Sequence, residues 1–155
     1  CGVLILNGHT NQLQRVKDDH SLITAMVSEI IRYQTPLSHM RRTLTRDVEF
    51  RGQQMKAGDK VVLWYCSANR DASVIENADA FQIDRQSVRN HASFGFGIHR
   101  CMGNRLAEMQ LRVVWEEALK RFSDIKLMAP PTRLCHNCVR GYSALPVQVT
   151  RLSTR

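Results

Sequence analysis

Residues 94–103 read Phe-Gly-Phe-Gly-Ile-His-Arg-Cys-Met-Gly, one cysteine between a glycine-jointed loop and the start of a helical apolar pattern. Gly95 and Gly97 carry no Cβ, so the backbone there can take positive φ and approach a flat partner closely. From Met102 onward, Met102, Leu106, Met109 and Val113 recur at spacings of four, three and four, which is one face of a helix. Cys101 therefore stands at, or just before, a helix N-terminus. Unpaired N–H groups and the positive end of the helix dipole favour thiolate over thiol there. A lone cysteine in such a turn is usually a buried packing residue, and it is the whole run that sets this one apart.

The run also matches the signature Phe-x-x-Gly-x-His/Arg-x-Cys-x-Gly through Phe94, Gly97, His99, Cys101 and Gly103. At these residues the chain resembles the cytochrome P-450 family. The resemblance implies that Cys101 is the catalytic axial thiolate of a haem b iron, a ligand that pushes electron density onto the metal and favours O–O cleavage.

With 155 residues, 43% of them hydrophobic, the chain is long enough for one globular domain with a real core. No unbroken apolar run, neither Val3-Leu4-Ile5-Leu6 nor residues 61–66, is long enough to span a bilayer. The formal charge of +8 would suit a nucleic acid or an acidic partner. Its arginines and lysines are nevertheless scattered, with no basic run interleaved with stacking aromatics, which argues against nucleic-acid binding. Cysteines at 1, 66, 101, 135 and 138 are odd in number and scattered, as expected of a reducing, cytoplasmic setting. The opening Cys1-Gly2-Val3, with no initiator methionine or basic leader, reads as a cut.

Along the chain, residues 9–19 read as a polar helix with Leu13 and Val16 inward. A second helix is marked by Leu22, Met26 and Ile30 and is ended by Thr35-Pro36. Short β pieces follow at 42–45 and 48–50, with a turn at Arg51-Gly52, and residues 61–65 read as a buried apolar segment. Residues 69–90 form a polar, irregular stretch, residues 102–122 the longest helix, and residues 142–152 a terminal strand. The expected fold is mainly α with small peripheral β-hairpins. The resemblance makes residues 1–155 the C-terminal haem-binding portion of a single cytochrome P-450 domain.

Glu29 and Arg32 are three apart and share a helical face. A bare Glu-x-x-Arg is usually a surface pair worth less than about 1 kcal/mol. In the family such a pair is buried and joined by a further arginine from the loop ahead of the cysteine, which the resemblance assigns to Arg85. It also directs His99 and Arg42 toward the haem propionates, and Leu37 and Met40 toward substrate, together with the turn 139–142. Cys135-His136-Asn137-Cys138 is the rival motif, but a structural zinc site needs two more ligands at comparable spacing. Both cysteines read as packing residues.

Residues 30–37, 39–43, 64–71 and 94–117 look most like the soluble bacterial hydroxylases of alkanes and fatty acids. Such enzymes take electrons from an NAD(P)H-dependent ferredoxin reductase through ferredoxin, and use O₂ to hydroxylate medium-chain substrates at the terminal carbon. Arg100, Arg105 and Arg112 would dock the acidic ferredoxin. Residues 1–7 resemble the tail of the helix that crosses the haem, whose acid–alcohol pair is not among the residues present. The segment alone is therefore expected not to hydroxylate. The competing expectation is a basic zinc- or nucleic-acid-binding module without catalysis.

Overall fold

The computed structural model describes residues 1–152. Three helices open the chain, α1 (Gly2–Asn7), α2 (Thr10–Asp18) and α3 (Ile23–Gln34). The Asp19 carboxylate accepts the Ser21 N–H and starts the short turn His20–Leu22 that leads into α3. Thr35 ends α3 in the left-handed region at φ 47°, and its hydroxyl donates to the Arg32 carbonyl at 2.7 Å.

Strands β1 (His39–Thr43) and β4 (Lys60–Trp64) pair antiparallel, and β2 (Val48–Phe50) with β3 (Gln53–Met55) forms a second hairpin between them. A one-turn helix α4 (Tyr65–Ala68) follows, then an irregular stretch, the turn Gly97–His99 and the long helix α5 (Asn104–Arg121). Strand β5 (Phe122–Leu127) pairs with β8 (Val147–Arg151), and β6 (Thr132–Arg133) with β7 (Tyr142–Ala144). Every sheet among the described residues is a two-stranded ribbon, so the architecture is helical with peripheral hairpins.

The core lies around α3. Its Ile23, Met26, Val27, Ile30 and Ile31 pack with Ile5 and Leu6 of α1, Val16 of α2, Phe81 and Ile83 of the irregular stretch, and Trp115 of α5. Ser28, Glu29 and Arg32 are buried as well, so α3 is enclosed on nearly all sides. A helix so placed can carry charge only where every polar atom has a partner.

Four expectations change. Residues 61–65 are not a buried segment: Val62, Leu63 and Trp64 are exposed and only Tyr65 is buried, because β4 has one strand partner and no layer over its outer face. On α5 the apolar stripe is present but uncovered; Leu106, Met109 and Val113 are exposed, and Trp115 is the one residue buried. Periodicity marks a face that burial would favour without specifying what covers it. The helix begins at Asn104 rather than Met102, with Gly103 at its N-cap. The terminal strand is also two strands, broken at Leu145-Pro146 because proline cannot continue the ladder.

Candidate functional site

The cysteine loop is closed by its own backbone. Gly95 N–H donates to the Ala92 carbonyl at 2.8 Å, Cys101 N–H to Phe94 at 2.9 Å and Arg100 N–H to Gly97 at 3.0 Å. Gly95 and Gly97 take φ 71° and 72°, a region costly for any residue with a Cβ. The loop therefore holds Cys101 directly across from Phe94, whose ring packs on the core. Gly103 stands beside the thiol: a Cβ there would lie 3.9 Å from Cys101 Sγ.

Cys101 is exposed and opens onto a cleft of about 790 Å³. Leu37, Met40, Tyr65 and Phe94 give the cleft apolar walls, while Arg42 and His99 bring basic side chains to it. Arg42 lies on β1, its guanidinium donating to the Arg41 carbonyl at 2.9 Å. His99 stands exposed on the short turn before the cysteine.

Behind this cleft the charged pair of α3 is fully enclosed. Arg32 grips Glu29 with two parallel bonds, Nε to Oε2 and Nη2 to Oε1, both 2.8 Å. Its remaining N–H groups reach the carbonyls of Asn69 (2.8 Å), Ala78 (2.7 Å) and Ala80 (2.9 Å). All five guanidinium donors are thus satisfied, the condition for burying an arginine at tolerable cost. Arg85 Nε lies 3.4 Å from Glu29 Oε2, and its other nitrogens hold the carbonyls of Glu76, Asn77 and Ala80. The structure brings Glu29, Arg32 and Arg85 together without placing any of them on the cleft beside Cys101.

Sequence reasoning missed the link between this ionic cluster and the loop. Asn69 donates to Thr35 Oγ1 and to Ser93 Oγ, both at 2.8 Å, and accepts the Ala92 N–H at 2.7 Å. Ser93 in turn donates to the Ile31 carbonyl at 2.9 Å. The stretch Asn69-Arg70-Asp71 was visible in the sequence, but an asparagine gives no signal of which distant hydroxyl it will meet. His91 was missed too: its Nδ1 accepts the Ser93 N–H at 3.3 Å, its ring lies against Phe94, and burial holds its pKa below the usual value.

Cys135, His136 and Cys138 do not build a metal centre. His136 Nδ1 accepts the backbone N–H groups of Cys138 and Val139, and no three His, Cys, Asp or Glu side chains converge among the described residues. No helix among them is long and apolar enough to cross a membrane.

A soft sulfur donor at an apolar cleft with basic groups on its wall has the chemistry that an iron porphyrin requires. Sulfur would serve the metal, the walls the macrocycle and the cations the carboxylates. Comparison agrees. Residues 7–145 match the family model for cytochrome P450. Linalool 8-monooxygenase from Pseudomonas putida is 41% identical over 145 residues, covering 94% of this chain and 36% of that protein. Methyl-branched lipid omega-hydroxylase from Mycobacterium bovis is 40% identical over 147 residues, covering 94% and 34%. The solved structure of cytochrome P450-153 from Novosphingobium aromaticivorans superposes with a TM-score of 0.91 at 48% identity, covering 96% of this chain and 38% of that one.

Cysteine loop, buried Glu–Arg pair and overall architecture thus have one explanation, and the chain belongs to the cytochrome P450 family, whose cofactor is haem b. It spans about a third of the length of the curated relatives it matches.

Proposed function

We propose that this segment is the C-terminal, thiolate-bearing portion of a cytochrome P450 monooxygenase. The observation that carries the reading is the exposed Cys101 thiol, fixed across from Phe94 and opening onto the apolar cleft. When bound there, haem b with a thiolate ligand supplies the activation of O₂ for insertion of one oxygen atom into a C–H bond. Cys101 would hold the iron, His99 and Arg42 would meet the propionates, and Phe94 with the glycine-jointed backbone would pack beside the sulfur. Glu29, Arg32 and Arg85 keep the wall behind the loop in register and move no proton.

The substrate is a medium-chain alkane or fatty acid hydroxylated at its terminal carbon. Leu37 and Met40 give the cleft the apolar lining a hydrocarbon requires, and one relative at 40% identity is named as a lipid omega-hydroxylase. Electrons come from an NAD(P)H-dependent reductase through ferredoxin, an acidic partner suited to the basic surface of Arg100, Arg105 and Arg112. Arg105 and Arg112 are tethered at 3.4 Å and 3.6 Å by Glu108 and Glu116, so docking on them is weakened by salt. The five unpaired cysteines suit a reducing cytoplasm.

The test uses the full-length, haem-loaded protein. The reduced carbon monoxide complex is expected to show the red-shifted Soret band of thiolate ligation, lost in Cys101→Ala and kept in Cys135→Ser and Cys138→Ser. With ferredoxin and reductase, dodecane and dodecanoic acid should yield terminal alcohols, and the segment alone none. A normal Soret band in Cys101→Ala overturns the ligand assignment; products oxidised only within the chain overturn the regiochemistry.

A further inference from the structure

The Cys135-His136-Asn137-Cys138 turn, which the monooxygenase reading leaves without a task, joins β6 to β7 and is stapled to the segment that lines the cleft. We propose that Cys135 and Cys138 form a reversible disulfide under hydrogen peroxide, and that its formation moves Leu37 and Met40.

Four observations meet at this turn. Both thiols are free, Cys135 exposed and Cys138 half-buried. His136 Nδ1 accepts the backbone N–H groups of Cys138 at 3.0 Å and Val139 at 2.9 Å, and the backbone bends at Asn137 and Cys138. Arg133 and Arg140 flank the motif, and no Asp or Glu occurs from residue 127 to residue 152, so an attacking thiolate meets no neighbouring carboxylate in this stretch.

The fourth observation is the staple. The Cys138 carbonyl accepts Ser38 N–H at 2.8 Å and Ser38 Oγ at 3.0 Å, Arg140 N–H donates to Pro36 at 2.7 Å, and Leu37 bridges Val139. Cys138 Sγ also donates to the His39 carbonyl at 3.4 Å, one residue before Met40. Disulfide formation removes that S–H donor.

The chemistry balances. The Cys135 thiolate attacks one oxygen of the peroxide, the O–O bond breaks, and Cys135 becomes a sulfenic acid as the departing hydroxide is protonated to water. The Cys138 thiolate then attacks the sulfenic sulfur and expels a second hydroxide, also protonated to water. Two thiols and one hydrogen peroxide thus give one disulfide and two waters, and a dithiol reverses the oxidation.

The effect on substrate rests on the proposed function; the thiol chemistry does not. Full-length haem-loaded protein is treated with equimolar hydrogen peroxide, alkylated with iodoacetamide and digested. The peptide bearing residues 134–140 is expected to lose two hydrogens and resist alkylation, with dithiothreitol restoring both thiols. Cys135→Ser and Cys138→Ser each abolish that loss. Spectral titration with dodecanoic acid should then give dissociation constants about fivefold apart in the oxidised and reduced wild type, and equal in either variant.

Two alkylated thiols after oxidation of Cys1 or Cys66, or a sulfinic acid at Cys135, overturns the disulfide. Equal dodecanoic acid affinity in both redox forms overturns the coupling. Failure of the monooxygenase reading has a separate signature, a missing thiolate Soret band with the disulfide still forming.

Discussion

Asn69 donates its side-chain amide to Ser93 Oγ at 2.8 Å, and through that bond the ionic cluster of α3 reaches the cysteine loop. Arg32 holds the Asn69 carbonyl, Asn69 holds Ser93 and the Ala92 N–H, and Gly95 N–H closes back on Ala92. Each link is buried or nearly so, where a hydrogen bond is strong and an orphaned partner costly.

Asn69→Ala removes the partner of Thr35, Ser93 and Ala92 at once. The expected loss is about 3 kcal/mol of folding stability, read from denaturant unfolding, with faster haem transfer to an acceptor globin. A stability change under about 0.5 kcal/mol with unchanged haem retention would remove Asn69 from this role.

Glu29→Gln and Arg32→Lys test the cluster itself. Either change leaves a buried charge without its forked partner, and breaking such a pair costs about 3–5 kcal/mol. Lysine keeps the charge but cannot make the two parallel bonds to Glu29 while reaching three carbonyls. Both variants should lower the soluble haem-loaded fraction sharply. Wild-type unfolding midpoints in both would show that the cluster adds no stability.

The sequence made some of this legible and hid the rest for physical reasons. Glu29 and Arg32 lie on one helix, so their meeting follows from the 3.6-residue period. The cysteine loop is legible because its glycines and thiol are contiguous. Asn69 meets Thr35 and Ser93 across 34 and 24 residues of chain, and no local pattern encodes such contacts. The misreading of residues 61–65 has a related cause: Val61, Val62, Leu63 and Trp64 have strand propensity and hydrophobicity, which record what burial would favour. Burial itself depends on which elements pack above them.

Gly95 answers to two constraints that can be separated. Its φ of 71° disfavours any Cβ, and a Cβ built there lies 3.1 Å from the Tyr65 hydroxyl and 3.6 Å from its Cζ. Gly95→Ala should destabilise by about 1–2 kcal/mol from the left-handed backbone alone, plus the contact. In a Tyr65→Phe background the nearest remaining ring contact is of ordinary van der Waals length, so the penalty should shrink by about 1 kcal/mol in a double-mutant cycle. Equal penalties in both backgrounds would mean that the phenol gives way freely.

His91 sets a dependence on pH. Desolvation by burial holds its pKa below the ordinary 6.5. Glu108 of α5 opposes that shift, Arg100 of the loop and Arg32 of α3 reinforce it, and Glu29 opposes it. In the unfolded chain His91 gains a proton as the pH falls through 6.5, while in the folded chain it stays neutral to a lower pH. The unfolded state binds more protons in that window, so stability falls with falling pH there and is indifferent to His91 above it. Asp19, Asp47, Asp71, Asp84 and Glu117 have lowered pKa values and ordinary values of 3.8 to 4.5. Their contributions are lost at lower pH and do not obscure the effect. His91→Asn keeps an acceptor for the Ser93 N–H, as asparagine does in an Asx-turn, but cannot titrate. Unfolding free energies at about pH 7.5 and about pH 5.5 should therefore differ more in the wild type than in His91→Asn. Equal slopes in the two proteins would assign the acid sensitivity to other groups.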